Sequence, residues 1–381
     1  MNRMKVWIVG RGIPSPQNKM LGSFELEQAQ ALANAGVDVK YLALSVRSAK
    51  NTRHIGFHVY RNLSIPVYSF NFPMGRVLPQ KIKDRVFNFA FSALSKKIVN
   101  ECGLPDVIHI HYPAQRPYSA IQKLQRQGVK IIATEHWTKV LDKTIGKVFL
   151  NNLRDYVQEC DAFICVSSTL RQSVEELTGL ARQIHVVPNL VNANFRGVST
   201  VKDGFRFVVS GRLVELKQAD KVVKAFINVF DKTEDVYLTV VGGGEQYNLL
   251  KRYVADAGRE SQISLPGSVA REKMAEIMAS SDVLVSYSRL ETFCVPVIEA
   301  WMCGKPVIAS KTIPVMIDYH DDRLGITVDE HKIETLEMAL LTMYKRYNGY
   351  NPKWIEQYAR ENFSEAAVAE KLKDIYRTIE A

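Results

Sequence analysis

The chain has 381 residues, of which 46% are apolar and 24% charged, and it carries a formal net charge of +10. That length exceeds one compact core and fits two domains of similar size, with the composition of an ordinary soluble globular protein. No run of about twenty apolar residues exists and Met1 leads straight into a strand-like KVWIVG, so neither a spanning helix nor a signal segment is expected and the chain should stay in the cytoplasm.

Residues 4–9 read as an apolar strand ending in Gly10-Arg11-Gly12. A polar loop follows from Ile13 to Lys19, then a helix from about Ser23 to Ala35 that Gly36 ends. Gly10-x-Gly12 is no dinucleotide fingerprint: the third glycine is absent, Pro14 and Pro16 interrupt the turn, and the helix starts too late. Val37 to Leu44 returns as a strand. Residues 76–101 read as a helix behind a basic segment, with Phe87, Phe91, Leu94 and Ile98 recurring at helical spacing as core positions. Arg76, Lys81, Lys83, Arg85, Lys96 and Lys97 cluster around them, and Phe89 falls on the other face. Such a surface suits an anionic bilayer as well as plain solvation.

Asp106 to Tyr112, DVIHIHY, is a buried strand with His109 and His111 on the same face. Val129 to Thr134 is another, running into Glu135-His136-Trp137. A histidine in mid-strand packs, which assigns His109 to the core, whereas His111 and His136 sit at strand carboxyl ends, where open parallel sheets place ligands. Ala162 to Val166 is the next strand, and Ser168 reads as the N-cap of a helix beginning near Thr169. Ile184 to Asn189 ends at a Pro-Asn turn. The aperiodic stretch from Leu190 to Asp203 marks the domain boundary.

The second domain opens with Phe205 to Ser210, followed by Gly211-Arg212 and, five residues on, Lys217. Val236 to Val241 leads into Gly242-Gly243-Gly244-Glu245, a turn in which glycine lets backbone approach a ligand. Ile263 to Leu265 runs into Pro266-Gly267-Ser268-Val269. The stretch from Val283 to Ser310, VLVSYSRLETFCVPVIEAWMCGKPVIAS, holds two apolar strands around a loop and a short helix, with Pro296 in its first turn and Gly304 at its stop. The amino end of that helix points out from a strand's carboxyl end, as an anion site does, and Arg212 and Lys217 are expected to face the same anion. Glu291 and Glu299 flank it. A carboxylate beside a phosphate is poor electrostatics, so hydroxyls are their expected partners, and a ligand with hydroxyls on both sides of a phosphate is a sugar nucleotide.

The pattern E-x-F-x-x-x-x-x-E-A-x-x-x-G-x-P-V-I-A-S from Glu291 to Ser310, with G-R-L-x-x-x-K from Gly211 to Lys217, resembles glycosyltransferase family 4, the group 1 glycosyltransferases. The resemblance implies an α/β chain of GT-B fold, two doubly wound Rossmann-like domains facing a cleft. Its divisions would be an acceptor-side domain over 1–190, a nucleotide-sugar domain over 191–362, and a helix over 363–381 crossing back to the first domain. Carried over, Arg212 and Lys217 grip the leaving diphosphate, Glu299 holds the ribose, and Glu291 holds the donor sugar with the main-chain N–H groups of Phe293, Cys294 and Val295. Gly243 and Gly244 lie beside the donor, the backbone at Ser268 and Val269 reads the nucleobase, His136 reaches the donor sugar and acceptor hydroxyl, and Gly22, with Glu25, lies on the acceptor side. His111 is assigned to the acceptor side by its place at a strand carboxyl end, not by the resemblance. The chain departs from the family at Gln218, Thr292 and Cys294, where glycines are usual, and at Val315, where glutamate is usual.

The implied reaction is transfer with retained anomeric configuration from a nucleotide diphosphate sugar, UDP-sugar favoured, to a saccharide or lipid-linked saccharide, in cell-surface polysaccharide synthesis. The departing diphosphate itself takes the acceptor proton, so no carboxylate nucleophile is needed. No cofactor is expected, and without a D-x-D sequence no metal either. Five cysteines, Cys102, Cys160, Cys165, Cys294 and Cys303, read as reduced thiols. The basic charge suits phosphorylated substrates or an anionic membrane surface, which would place the enzyme peripherally at the inner face of the cell membrane. Nucleic acid is not expected, since no zinc-finger, RNP or arginine-rich sequence occurs. A sugar-nucleotide hydrolase or epimerase on the same fold, or an inactive GT-B partner subunit, stands as the alternative.

Overall fold

The computed structural model describes residues 3–14, 21–45, 55–62, 65–72, 74, 78–197, 203–319, 321–329 and 331–380. Arg76 of the basic segment, part of the Ile13 to Lys19 loop and part of the boundary segment lie outside them. The chain divides into two compact units, 1–190 with 365–381, and 191–364.

Unit 1 is built on an eight-stranded sheet: β1 (Lys5–Gly10), β2 (Asp38–Ser45), β3 (Gly56–Asn62), β4 (Ile65–Asn71), β5 (Val107–His111), β6 (Lys130–Glu135), β7 (Ala162–Cys165) and β8 (Ile184–Val186), in the order β3-β4-β2-β1-β5-β6-β7-β8. All pairs are parallel except β3 with β4. The apolar runs of β1, β5 and β6 are buried along their length, as central parallel strands with helices on both faces must be. The hairpin of β3 and β4 is not among the strands expected from sequence, although GFHVYRN and IPVYSFN are rich in β-branched and aromatic residues and separated by only two residues.

The helices of unit 1 include α1 (Ser23–Asn34), α2 (Gln80–Cys102), α3 (Lys147–Glu159) and α4 (Ser168–Thr178). Phe87, Phe91, Leu94 and Ile98 of α2 are buried, while Phe89 is 64% exposed. The N-cap of α4 is Ser167, not Ser168: the Ser167 hydroxyl accepts the Leu170 N–H at 3.2 Å, from extended backbone that a residue already inside the helix does not have.

Unit 2 holds six parallel strands, β9 (Phe205–Ser210), β10 (Val236–Val241), β11 (Ile263–Gly267), β12 (Val283–Ser286), β13 (Val307–Ser310) and β14 (Gly325–Val328), ordered β11-β10-β9-β12-β13-β14. Its helices include α5 (Ala219–Val229), α6 (Tyr247–Asp256), α7 (Arg271–Ser280), α8 (Val295–Met302), α9 (Ile333–Arg346) and α10 (Pro352–Phe363). Val222, Val223 and Phe226 of α5 and Leu336, Leu340 and Met343 of α9, at helical spacing, close over β9, β10 and β12 in one core. The last helix, α11 (Glu365–Glu380), returns to unit 1. Val368, Ala369, Leu372 and Tyr376 on one face join a core with Ala29 and Leu32 of α1, and the Lys373 ammonium caps α1 by donating to the Ala35 carbonyl at 3.2 Å.

Candidate functional site

Strand order in unit 2 reverses between β9 and β12, and their chains leave toward opposite sides of the sheet. In open parallel sheets that leaves a crevice beyond the strand carboxyl ends. Gly211 and Arg212 follow β9 there, Tyr287 and Ser288 follow β12, and with Lys217 they line one small recess. Lys217 ends a single 3-10 turn, Glu215–Lys217. Gln218 then takes the left-handed conformation (φ 51°, ψ 33°) before α5, which is why a glycine suits this position. The Gln218 amide donates to the Tyr287 carbonyl at 3.0 Å, tying the β9 loop to the β12 loop.

Lys217 and Glu291 meet as an ion pair at this crevice, both partly exposed. The loop carrying Glu291 runs into α8, whose N-cap Cys294 also sits in the left-handed region (φ 85°, ψ 72°). Its buried thiol is pushed up by desolvation and lies 3.3 Å from the Ser286 hydroxyl. The N–H groups of Phe293, Cys294 and Val295 have no acceptor among the described residues, so the amino end of α8 offers donors and partial positive charge.

Glu299 lies one turn into α8, 3% exposed. Burial raises its carboxyl pKa against the pull of Arg271, whose guanidinium donates to it at 2.7 Å from the first turn of α7. Arg271 also lies 5.1 Å from the ring centroid of Phe195. Gly242 packs loop on loop: a Cβ there would stand 1.8 Å from the Gly211 carbonyl oxygen, with φ at 149°. Leu213 N–H donates to the Gly243 carbonyl at 2.9 Å, and a Cβ on Gly244 would strike the Leu213 carbonyl. These glycines therefore seat the Arg212 loop. Ser268, exposed, stands beside Gly243, and Val269 is half-buried next to it.

Unit 1 has its own reversal, between β1 and β5. Arg11, after β1, donates to Glu25 at 2.8 Å and lies 3.5 Å from the ring centroid of Tyr112, after β5. Burial works to raise the Glu25 pKa, and the Arg11 guanidinium overrides it and holds the carboxylate below its ordinary range. Gly22 caps α1 at φ 73°, where a Cβ would lie 2.1 Å from the Gly12 carbonyl oxygen. His109, His111 and His136 form a stack with centroid spacings of 4.7 and 5.2 Å. His109 is spent on structure, bonded to the Tyr376 hydroxyl at 2.7 Å and Thr134 at 2.6 Å. His111 Nδ1 lies 2.9 Å from His136 Nε2, and burial lowers the His136 pKa to about 4, so the pair is neutral at pH 7.

Two family descriptions match: glycosyl transferases group 1 over residues 192–362, and glycosyltransferase family 4 over residues 24–195. The chain belongs to the family 4 glycosyltransferases. This family 4 chain is 24% identical over 289 residues to N-acetyl-alpha-D-glucosaminyl L-malate synthase of Bacillus anthracis, covering 72% of this chain and 74% of that one. It is 21% identical over 266 residues to a phosphatidylinositol N-acetylglucosaminyltransferase subunit of Arabidopsis thaliana, covering 68% of this chain and 58% of the plant protein. Its fold is similar to that of HepE from Anabaena in complex with UDP, with a TM-score of 0.71 and 16% identity over 98% of this chain and 100% of that one. Each unit is the Rossmann-like α/β domain expected of the GT-B fold.

Within this family 4 chain the structure gathers Arg212, Lys217, Glu291 and the amino end of α8 at one edge of unit 2, and His111, His136, Gly22 and Glu25 at one edge of unit 1. Sequence reasoning missed Arg271 and Arg11, the cations paired with Glu299 and Glu25. Arg271 sits 28 residues from its partner in an ordinary charged helix start, and no spacing announces it. Arg116, 4% exposed and bonded through Nε to the His111 carbonyl at 2.9 Å, was missed for the same reason.

Proposed function

We propose that the chain is a retaining glycosyltransferase that moves a sugar from a nucleotide diphosphate sugar, UDP-sugar first, to a hydroxyl of a saccharide or lipid-linked saccharide in cell-surface polysaccharide synthesis. The observation that carries this is the placement of Arg212 and Lys217, from the β9 loop, in one recess with the β12 loop that leads to α8. A guanidinium, an ammonium and free N–H groups stabilise charge as it develops on a leaving diphosphate, and they do so without reorganising. Glu291 then binds donor hydroxyls and Glu299 the ribose, while unit 1 presents the acceptor, with His136 at its hydroxyl. The diphosphate oxygen takes the proton, so the reaction needs neither metal nor cofactor. The UDP complex of HepE supports the nucleotide, and the N-acetylglucosaminyl group in the relatives' names supports a transferred sugar.

The same reading places the enzyme at the inner face of the cell membrane. Phe57 of β3 lies 6.4 Å from Phe89 of α2, centroid to centroid, and both are exposed beside Val59 and Ile82, with Arg85 and Lys96 exposed on α2. Aromatic rings with flanking cations suit an anionic lipid surface. No helix of the described residues is long and apolar enough to cross a membrane.

The test is a thermal-shift series with UDP, GDP and their common sugar conjugates, followed by incubation with acceptor and NMR of the product anomer. The proposal expects a UDP-dependent shift, transfer, and a product with the donor's configuration. Free sugar or an epimer released at turnover rates without acceptor would instead establish the hydrolase or epimerase.

A further inference from the structure

A sheet ends in edge strands, and an edge offers unpaired N–H and C=O groups to any strand that reaches it. Of the four sheet edges among the described residues, three are blunted. β8 has three residues and β14 four, while β11 carries Pro266 and pairs with β10 through a shift of register. β3 is the exception: seven residues, GFHVYRN, without proline or lysine, paired to β4 in unbroken register from Gly56 opposite Asn71 to Asn62 opposite Ile65. Among the described residues no strand pairs with its outer side. Phe57, Val59, Tyr60 and Arg61 are exposed along it, and the Phe57 ring is held in place by Phe70 at 4.7 Å and Phe89 at 6.4 Å between centroids.

We infer that the β3 edge is an interface between two copies of this chain, paired antiparallel about a two-fold axis through Val59. The inference goes beyond the transferase reading and does not depend on it. The strand is complementary to itself. Val59 is its midpoint, so an axis there pairs all seven residues, and any other axis pairs fewer. On one face Val59 then meets Val59, and Phe57 meets Arg61 of the second copy, so the strand's one formal cation lies over an aromatic ring. On the other face His58 meets Tyr60. An axis through Arg61 would instead set two guanidinium groups opposite each other, which is repulsive. Such a contact is isologous and closes at two copies. Directly opposed residues of antiparallel strands share a face, so Phe57 of both copies looks to the same side. Pairing at the edge therefore doubles the aromatic surface that the lipid reading uses and does not hide it. One strand pair buries less than a standard interface, so the dimer is reversible, in the micromolar range.

Sedimentation velocity of the full chain, without detergent or lipid, tests it and is expected to show a monomer–dimer equilibrium over micromolar concentrations. Val59 faces its own copy at the axis. Val59→Lys alone and Val59→Glu alone should therefore each weaken the dimer about tenfold or more, because each sets like charges directly opposite. Mixed in equal amounts, the two variants should recover it, with one of each kind in the dimer. That recovery also shows that both variants are folded. Ile82→Lys, which charges the exposed face of α2 and not the edge, should leave the dimer in place. A wild-type chain that stays monomeric overturns the inference, and leaves the edge to a strand of a different protein. A mixture that stays monomeric while circular dichroism shows both variants folded overturns it too. So does a dimer that Ile82→Lys dissociates and Val59→Lys does not.

Discussion

Lys217 and Glu291, 74 residues apart in sequence, hold each other as an ion pair at the crevice where β9 and β12 diverge. Both are partly exposed, so the pair itself adds little to stability. The proposed function makes this pair an exchange, in which an arriving diphosphate would take the ammonium and release the carboxylate toward the donor's hydroxyls. Lys217→Ala should then weaken UDP binding and lower kcat on the order of 10²- to 10³-fold, as loss of a charge-stabilising donor does. Glu291→Gln should keep UDP affinity and lose affinity for the sugar nucleotide. Titration calorimetry with UDP and UDP-glucose separates the two, and equal loss of UDP binding in both variants would contradict the exchange.

The Arg271–Glu299 pair makes a stability prediction. Glu299 is almost fully buried, and removing the guanidinium that pairs with it leaves a carboxylate desolvated and unmatched. Arg271→Ala should cost about 1–3 kcal/mol at pH 7.5, less than a fully buried pair because Arg271 is partly exposed. The sign with pH follows from the raised Glu299 pKa: without Arg271 it rises further, the group protonates as pH falls, and the deficit shrinks toward pH 5. Urea unfolding at the two pH values measures it. A deficit that grows on acidification would show that the pair does not set the carboxylate's charge.

The glycine turn after β10 predicts loss of fold before loss of chemistry. Gly242→Ala would drive a Cβ into the Gly211 carbonyl at 1.8 Å, at a backbone φ of 149°, and so displace the loop that carries Arg212. A drop in melting temperature together with a lost UDP shift is expected, whereas Gly36→Ala, with open space around it at φ 89°, should cost only about 1 kcal/mol. Equal melting temperatures for the two variants would remove the packing argument.

Much of this is legible in the sequence. Apolar runs bounded by Gly and Pro place the central strands of both sheets, and the motifs holding Arg212, Lys217 and Glu291 supply three charges that meet at one edge of unit 2. The edge strand β3 escapes notice because it is largely exposed and has no buried run, β4 because Pro66, Ser69 and Asn71 interrupt its apolar residues, and β14 because four residues, GITV, carry no period. Ion pairs joining distant elements are not legible. Arg271 and Arg11 look like surface charges until the fold brings Glu299 and Glu25 to them. Two departures from the family's glycines, Gln218 and Cys294, become intelligible only as left-handed backbone positions held by their surroundings.

The histidine stack of unit 1 sets an acid limit. Burial lowers the His136 pKa to about 4 and the His109 pKa to about 3, so the unfolded chain takes up protons from about pH 6.5 downward while the folded chain does not. The stability these neutral rings contribute is present above pH 6.5 and is lost as pH falls toward 4. Chemical denaturation from pH 7.5 to 4.5 should show this loss, and His136→Asn should show a smaller one over the same window. A variant as acid-sensitive as the wild type would mean that His136 is charged in the folded protein.

The central claim is electrostatic: one edge of unit 2 receives the negative charge of a departing diphosphate. A crystal structure of the full chain with UDP tests it most directly. The account predicts diphosphate oxygens within hydrogen-bond distance of Arg212 and Lys217, the amino end of α8 turned toward them, and Glu291 released from its ion pair. A diphosphate bound elsewhere, with the Lys217–Glu291 pair intact and Arg212 in solvent, would contradict it.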